Sequence, residues 1–411
     1  MVKATSGITG FLRLQRKQRK EKAMSLYEMV SAENDDVKLH YFPRVRSACG
    51  RHLNLENGDK NLNFSSCDYL GMADNQLMKD AAIKAIQKYG TNISGPMIFC
   101  GYTEYHEELE NRYAEMYQVN SSLMYTTSYQ ANIGALPIIS EDVDLIVMDK
   151  LCHVSLYDAV KLSNRPFRVY QHGNISKLTD IVKNNPRKKI LVVSDGLFSA
   201  DGDFCDVAAL FELKERYPGI VLYIDDAHGV GAFGENGCGL VEASGCLGKV
   251  DVIIGTMSKS FGSTGGFCII KDDALAQKVR YKSATYNASR AVSPGVAAAS
   301  CMALEINQRE GKIRRAELAE LVNYAHHRLE QTPVNKMYSV SAVIPVIFEK
   351  AGQAAAVNDY LLQNNIMTSL FVPPYVEQNK SRLRITLTRN HTKEDIDLLA
   401  EALEQAIFRI S

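Results

Sequence analysis

Lys259 is the residue around which a reaction can be built. It lies in GTMSKSFGSTGG (255–266), where Thr256, Ser258 and Ser260 set hydroxyls beside an amine and glycines leave backbone amides open. A nest of hydroxyls and amides can hold a phosphate without a countercharge. The glycine-rich lead-in of a nucleoside-triphosphate loop, G-x-x-x-x-G-K-[ST], is missing before this lysine, which disfavours a triphosphate. A lysine in a partly desolvated pocket loses basicity and can join an aldehyde as a Schiff base. Upstream, in YIDDAHGVGAFGENGCG, Asp225 ends the apolar run 220–225 and His228 follows. An acid at that place can hold a protonated ring nitrogen. His153 (in DKLCHVSLYDA) and Ser199 (in DGLFSADGD) also follow apolar runs, at 144–148 and 189–194. Each fragment alone has a plainer reading. A serine–lysine pair is common, D-D-A-H can open a capped helix, and His153 can cap a helix or fill a core. Their shared position behind apolar runs is what the plain readings leave unexplained. One ligand, pyridoxal 5′-phosphate (PLP), carries a phosphate, an aldehyde and a pyridine nitrogen together.

The elements that must position these residues follow from the apolar pattern. Runs at 122–125 (SLMY), 144–148, 189–194, 220–225 and 251–254 have the length of buried strands, and helical stretches alternate with them, as at 75–89 and 104–117. This predicts an α/β fold, a mostly parallel sheet with helices on its faces. In such sheets ligands bind beyond the carboxyl ends of the strands, where the polar residues above fall. Before this region, short alternations broken by NG and GD predict strands joined by turns. After about 295 the pattern changes to a helix and then to strands near 342–348 and 382–388, which predicts a smaller α+β domain. The expected division is an N-terminal segment 1–50, a large domain 51–294 and a small domain 295–411.

Composition excludes several classes. Lys+Arg and Asp+Glu both number 47, so no broad field recruits nucleic acid or a membrane surface. No apolar run reaches the roughly 20 residues of a bilayer span, and no signal-peptide pattern opens the chain. Nine scattered cysteines without a C-x-x-C pair fit a reducing, cytoplasmic setting better than disulfides or a zinc site, and no metal is expected. The basic stretch 10–23 (GFLRLQRKQRKEKA) predicts a solvated helix, with docking of an acidic partner as the sharper reading.

Seven segments then resemble, in order, the motifs of the α-oxoamine synthases: SSCDYLGM, ISGPMIFCGYTEYHEELE, TTSYQANIGAL, DKLCHVSLYDA, DGLFSADGD, IDDAHGVGAFGENGCGL and GTMSKSFGSTGGF, followed by SRLRITLTRNHTKEDID. The resemblance spans about 41–405 and implies a PLP-dependent transferase of fold type I, whose large domain holds a mostly parallel seven-stranded sheet. It implies a decarboxylative condensation of an amino acid with an acyl thioester, carried by CoA or an acyl-carrier protein. Lys259 would be the Schiff-base lysine and proton shuttle. Asp225 would pair with the ring nitrogen, and His228, one helical turn on, with the phenolic oxygen. His153 would stack on the ring, and Ser199 would sit near the phenolic oxygen. Thr256 and Ser258, with Ser128 and Tyr129, would take the phosphate. Ser289 would reach the phosphate of a neighbouring subunit, which implies a homodimer with shared sites. Arg384 would clamp the substrate carboxylate, with Arg382 as the fallback. Met97 stands where many relatives have arginine, hinting at an apolar acyl contact, and Ser128 replaces a glycine. The rivals are an aminotransferase of the same fold and an inactive partner subunit, which would usually lack the lysine.

Overall fold

The computed structural model describes residues 41–56, 58–337 and 339–410. The basic stretch 10–23 and most of the expected N-terminal segment lie outside the described residues. The described residues form two compact units: those from 41 to Tyr69 with Ser199–Asp203 and those from Ala316 onward, and Leu70–Phe198 with Phe204–Arg315. These limits differ from the expected 1–50, 51–294 and 295–411. β1 (His52–Asn54) and β2 (Lys60–Asn63) pair antiparallel, and β2 takes a partner near residue 366, so this stretch joins the smaller unit. The helix Pro294–Glu330 runs unbroken for 37 residues, and the division falls inside it.

The larger unit carries β3 (Ser122–Tyr125), β4 (Leu145–Asp149), β5 (Phe167–Tyr170), β6 (Ile190–Asp195), β7 (Ile220–Asp225), β8 (Val252–Thr256) and β9 (Gly266–Ile270). They form one seven-stranded sheet in the order β3-β9-β8-β7-β6-β4-β5. β5 to β4, β4 to β6, β6 to β7 and β7 to β8 pair parallel, and β9 alone runs against its neighbours. Every residue of β4, β6 and β8 is buried. That is the signature of a sheet covered on both faces. Leu156 and Ala159 of the helix Val154–Leu162 and Ala131, Ala135 and Leu136 of the helix Ser128–Ile139 share one core with Ile146, Leu191 and Ile254. Removing such surface from water is worth about 25 cal/mol per Å². That stabilisation must also offset the buried polar residues where the strands end: Asp149, Ser194, Asp195, Asp225 and Thr256.

The smaller unit closes with β10 (Val343–Phe348), β11 (Ile366–Met367), β12 (Ser369–Phe371) and β13 (Ser381–Thr386). β13 is flanked antiparallel by β10 and β12, while β11 extends the β1–β2 pair. His391 anchors this unit. Its ring stacks on Phe64 at 4.2 Å, Nδ1 accepts from Thr388 N, and Nε2 donates to Asn63 O. Both ring nitrogens are thus committed in the neutral form. Burial, above all, lowers the His391 pKa to about 4 from 6.5. The unfolded chain takes up this proton first, so the contribution of His391 is complete above 6.5 and is lost as pH falls toward 4. Over that window wild-type stability should drop by up to about 3 kcal/mol from this group. His391→Gln should flatten the acid limb of a Tm-against-pH curve; an unchanged limb would contradict the assignment.

No helix among the described residues is long and apolar enough to cross a membrane. No group of three or more His, Cys, Asp or Glu among them is placed to hold a metal ion.

Candidate active site

The strand ends of the larger unit converge on one pocket. It is lined by Ser128, His153, Asp195, Leu197, Asp225, Ala227, His228 and Lys259. Five of these were expected from the sequence: Ser128, His153, Asp225, His228 and Lys259. Asp195 was not.

Asp225 closes β7 and is buried. Oδ1 accepts from Ala227 N at 3.1 Å, and Oδ2 accepts from Asn132 Nδ2 at 2.6 Å. His228 lies in a run of turns, 227–232, and not in a longer helix: Val230 N donates to Asp226 O, the bond of a single helical turn, Gly229 N shares that acceptor, and the pattern does not continue as a helix. His228 still lines the pocket. The next acid, Asp226, faces away into a cage of glycines. A Cβ on Gly196, Gly229 or Gly239 would stand 2.0 to 2.3 Å from its carboxylate oxygens. Burial pushes the Asp226 pKa up to about 8.

His153 fills both roles open to it. Its side chain accepts from Ser155 N and so caps the helix Val154–Leu162, and its ring lines the pocket. Burial lowers its pKa, Asp225 raises it, and Lys259 lowers it. His153 N donates to Asp195 Oδ1 at 3.2 Å. Asp195 closes β6 opposite Asp225 in the strand register. Burial and the neighbouring Asp225 hold its carboxyl well above the usual range. Two carboxyls at adjacent strand ends repel each other when both ionise. Asp149, at the end of β4, is different. Leu151 N, Gly173 N and His172 Nδ1 occupy its oxygens, so it serves the loop that holds it.

The phosphate end is built from three segments. Thr127 caps the helix Ser128–Ile139 by accepting from Gln130 N, so Ser128 sits at the first helical position, where free N–H groups attract an anion. Thr256, the last residue of β8, donates to Gly265 O at 2.8 Å, and its Oγ1 lies 2.7 Å from Ser258 Oγ. Gly266 opens β9 so close to that helix end that a Cβ would stand 2.3 Å from Ser128 N. Gly265 adopts φ +136, a conformation closed to most side chains. This explains why glycines crowd the stretch after Lys259. Tyr129 is 37% exposed; its phenol bonds Asp158, and its ring lies edge-on to His153 at 6.3 Å. Ser289 is half-buried in a bend after the helix Ala284–Asn287 and lies outside the pocket lining.

Ser199 and Arg384 belong to the smaller unit. Arg384 Nη1 donates to Ser199 O at 3.2 Å, Nη2 approaches Cys67 Sγ at 3.8 Å, and Cζ stands 4.9 Å over the Phe371 ring. Its Nε is buried without a partner. Arg382, two residues earlier on β13, is instead fully engaged by Asp201 and Ala200 O. Met97 is buried in the core beside Leu123 and Tyr125, so packing alone accounts for its apolar side chain.

These residues fit PLP. A helix end and two hydroxyls suit its phosphate, a buried carboxylate suits its ring nitrogen, and one lysine lines the pocket between them. Comparison with known proteins agrees. A family model described as aminotransferase class I and II matches residues 59–403. The chain is 34% identical over 362 residues to a putative 8-amino-7-oxononanoate synthase of Acetivibrio thermocellus, covering 88% of this chain and 92% of that one. It is 31% identical over 390 residues to the 8-amino-7-oxononanoate synthase of Petrotoga mobilis, covering 93% and 98%. The structure of Sphingomonas wittichii serine palmitoyltransferase superposes with a TM-score of 0.87 over 99% of each chain at 24% identity, a likeness of fold. With similarity running through both units and a pocket whose residues fit PLP, the chain belongs to the α-oxoamine synthase family of pyridoxal phosphate-dependent acyltransferases.

Proposed function

We propose that this protein condenses an amino acid with an acyl thioester, releasing a thiol and CO2 and giving an α-aminoketone. The observation that carries the proposal is the pocket that sets Lys259, Asp225 and His153 together at the strand ends. PLP, when bound, supplies an aldehyde for amines and a ring that spreads the charge left at a deprotonated carbon.

The protein's own residues do the rest. The helix end at Ser128 and the hydroxyls of Thr256 and Ser258 bind the phosphate, and Asp225 keeps the ring nitrogen protonated. His153 covers the ring face, while His228 and Ser199 serve the phenolic oxygen. Lys259 would hold the PLP aldehyde, and its amine, when free, would take the proton from the amino acid's α-carbon. A positioned base of this kind contributes about 10²–10⁴-fold. Arg384 holds the substrate carboxylate through its planar fork, which matches two oxygens at once.

The test is to mix purified protein, PLP, single amino acids and acyl-CoA or acyl-carrier-protein thioesters, and to measure free thiol and CO2. Both should appear in equal amounts and only with a suitable pair. Transfer of the amino group to a keto acid without thiol release would favour the aminotransferase reading and overturn this one. The two carrier forms, compared at equal concentration, decide which delivers the acyl group.

We propose further that Ser289 completes the phosphate site of a neighbouring subunit, as the family resemblance implies, which makes the protein a homodimer with shared sites. Sedimentation of the PLP-bound protein should give twice the chain mass; a monomer that binds PLP tightly would contradict the dimer. All nine cysteines are free thiols, which suits the cytoplasm. Recovery in an oxidising compartment of its cell of origin would overturn that location.

A further inference from the structure

Asn132 lies one helical turn into the helix Ser128–Ile139, is fully buried, and has no part in the steps above. Its carboxamide makes three hydrogen bonds: Nδ2 donates to Asp225 Oδ2 at 2.6 Å and to Ser155 Oγ at 2.9 Å, and Oδ1 accepts from Tyr223 OH at 2.8 Å. The orientation of the amide follows from its partners. A carboxylate can only accept, so the nitrogen must face Asp225, and the phenol then donates to the oxygen. Ser155 carries the chain onward. Its Oγ lies 2.7 Å from His153 Nδ1, and it accepts from Asn132, so its own proton goes to the imidazole. His153 Nδ1 is thereby an acceptor, which leaves the proton of the neutral ring on Nε2.

We infer that Asn132 is a positioning residue: it fixes the Asp225 carboxylate and, through Ser155, the His153 ring in one relation, so that the acid for the ring nitrogen and the imidazole for the ring face are presented together. The inference rests on the PLP assignment above. Two helices and one strand meet in this one carboxamide: Asn132 and Ser155 come from different helices, and Tyr223 and Asp225 both come from β7. The charged and titratable groups around Asp225 are Asp195, Asp226, Tyr223, His153, His228 and Lys259, and a carboxylate that must act among them gains from a fixed donor. Were Asn132 only filling space, its loss would lower stability and leave the cofactor site as it was.

The experiment uses the full chain as wild type, Asn132→Ala, Asn132→Asp and Ser155→Ala. Three quantities are read: the PLP dissociation constant, the pH midpoint of the bound cofactor's absorbance, and the Tm without PLP. Asn132→Ala should weaken PLP about tenfold and move the midpoint, since a hydrogen bond to a charged group is lost. Asn132→Asp should add a new pH-dependent step to the absorbance, because two touching carboxyls cannot both ionise freely. Ser155→Ala should move the midpoint while changing affinity less than Asn132→Ala, and it keeps the question open to test if the Asn132 variants fold poorly. Variants that lose Tm but keep the wild-type dissociation constant and midpoint would assign Asn132 and Ser155 to packing and overturn the inference alone. Wild-type protein that shows no cofactor absorbance would overturn the PLP assignment, and the inference with it.

Discussion

Replacing Lys259 by alanine should abolish the absorbance band of the lysine-bonded cofactor and lower kcat by at least about three orders of magnitude. The size of the effect follows from the double duty of one amine. Lys259 is the one lysine among the residues lining the pocket, so alanine removes both the group that bonds the cofactor and the base for the α-proton. The backbone cost is small. Lys259 is half-buried in the irregular stretch between β8 and β9, where no helix or strand ladder depends on its side chain. Its charge does act on Asp195 and His153, so Tm is measured beside the rate to separate the loss of that cation from the loss of the reacting amine. An added small amine should restore part of the activity by supplying the missing base. A variant that kept a tenth of the wild-type rate would show that another residue does the chemistry.

The second large effect separates two arginines that the sequence places side by side. Arg384→Lys should raise the KM for the amino acid about a hundredfold, because a lysine cannot offer the paired donors of the fork. Among the described residues its partners are a carbonyl, a thiol and an aromatic face, its Nε has none, and no carboxylate pairs with the cation. A substrate carboxylate would complete it. Arg382→Ala should act on the fold instead. It strands Asp201, and breaking a buried pair of this kind costs about 3–5 kcal/mol. KM titrations and thermal unfolding on both variants decide the matter. If Arg382 variants lose amino acid affinity while Arg384 variants only unfold more easily, the assignment is reversed.

The parts of this protein that a sequence can show are those with a local signature. β4, β6, β7 and β8 are short apolar runs that end in a polar residue, and both facts are visible along the chain. β5 is harder to see: at the sheet edge its pattern is half-exposed, and Phe167 to Tyr170 includes an arginine. β9 hides behind its own first residue. Gly266 continues the glycine-rich stretch after Lys259, so GFCII reads as the tail of a loop although every residue of it is buried. Lys259, Asp225 and His153 were legible because each follows such a run and carries a distinctive side chain. Asn132 and Asp195 were not. Asn132 reaches Asp225 across 93 positions, and only the packed fold brings them together. Asp195 stands in the same segment as Ser199, but its meaning comes from lying opposite Asp225 in the sheet. The segment that carries His228 shows how far helical spacing reaches: one such turn follows Asp225, and seven glycines between 229 and 248 keep it from extending into a helix.

The central claim is a covalent bond between one amine and one aldehyde, and it can be read directly. Protein loaded with PLP is reduced with borohydride, digested, and its peptides are weighed. The account predicts a single pyridoxyl group, carried by Lys259 and blocked when Lys259 is alanine. A pyridoxyl group on a different lysine of the wild-type protein, or none at all, would contradict it.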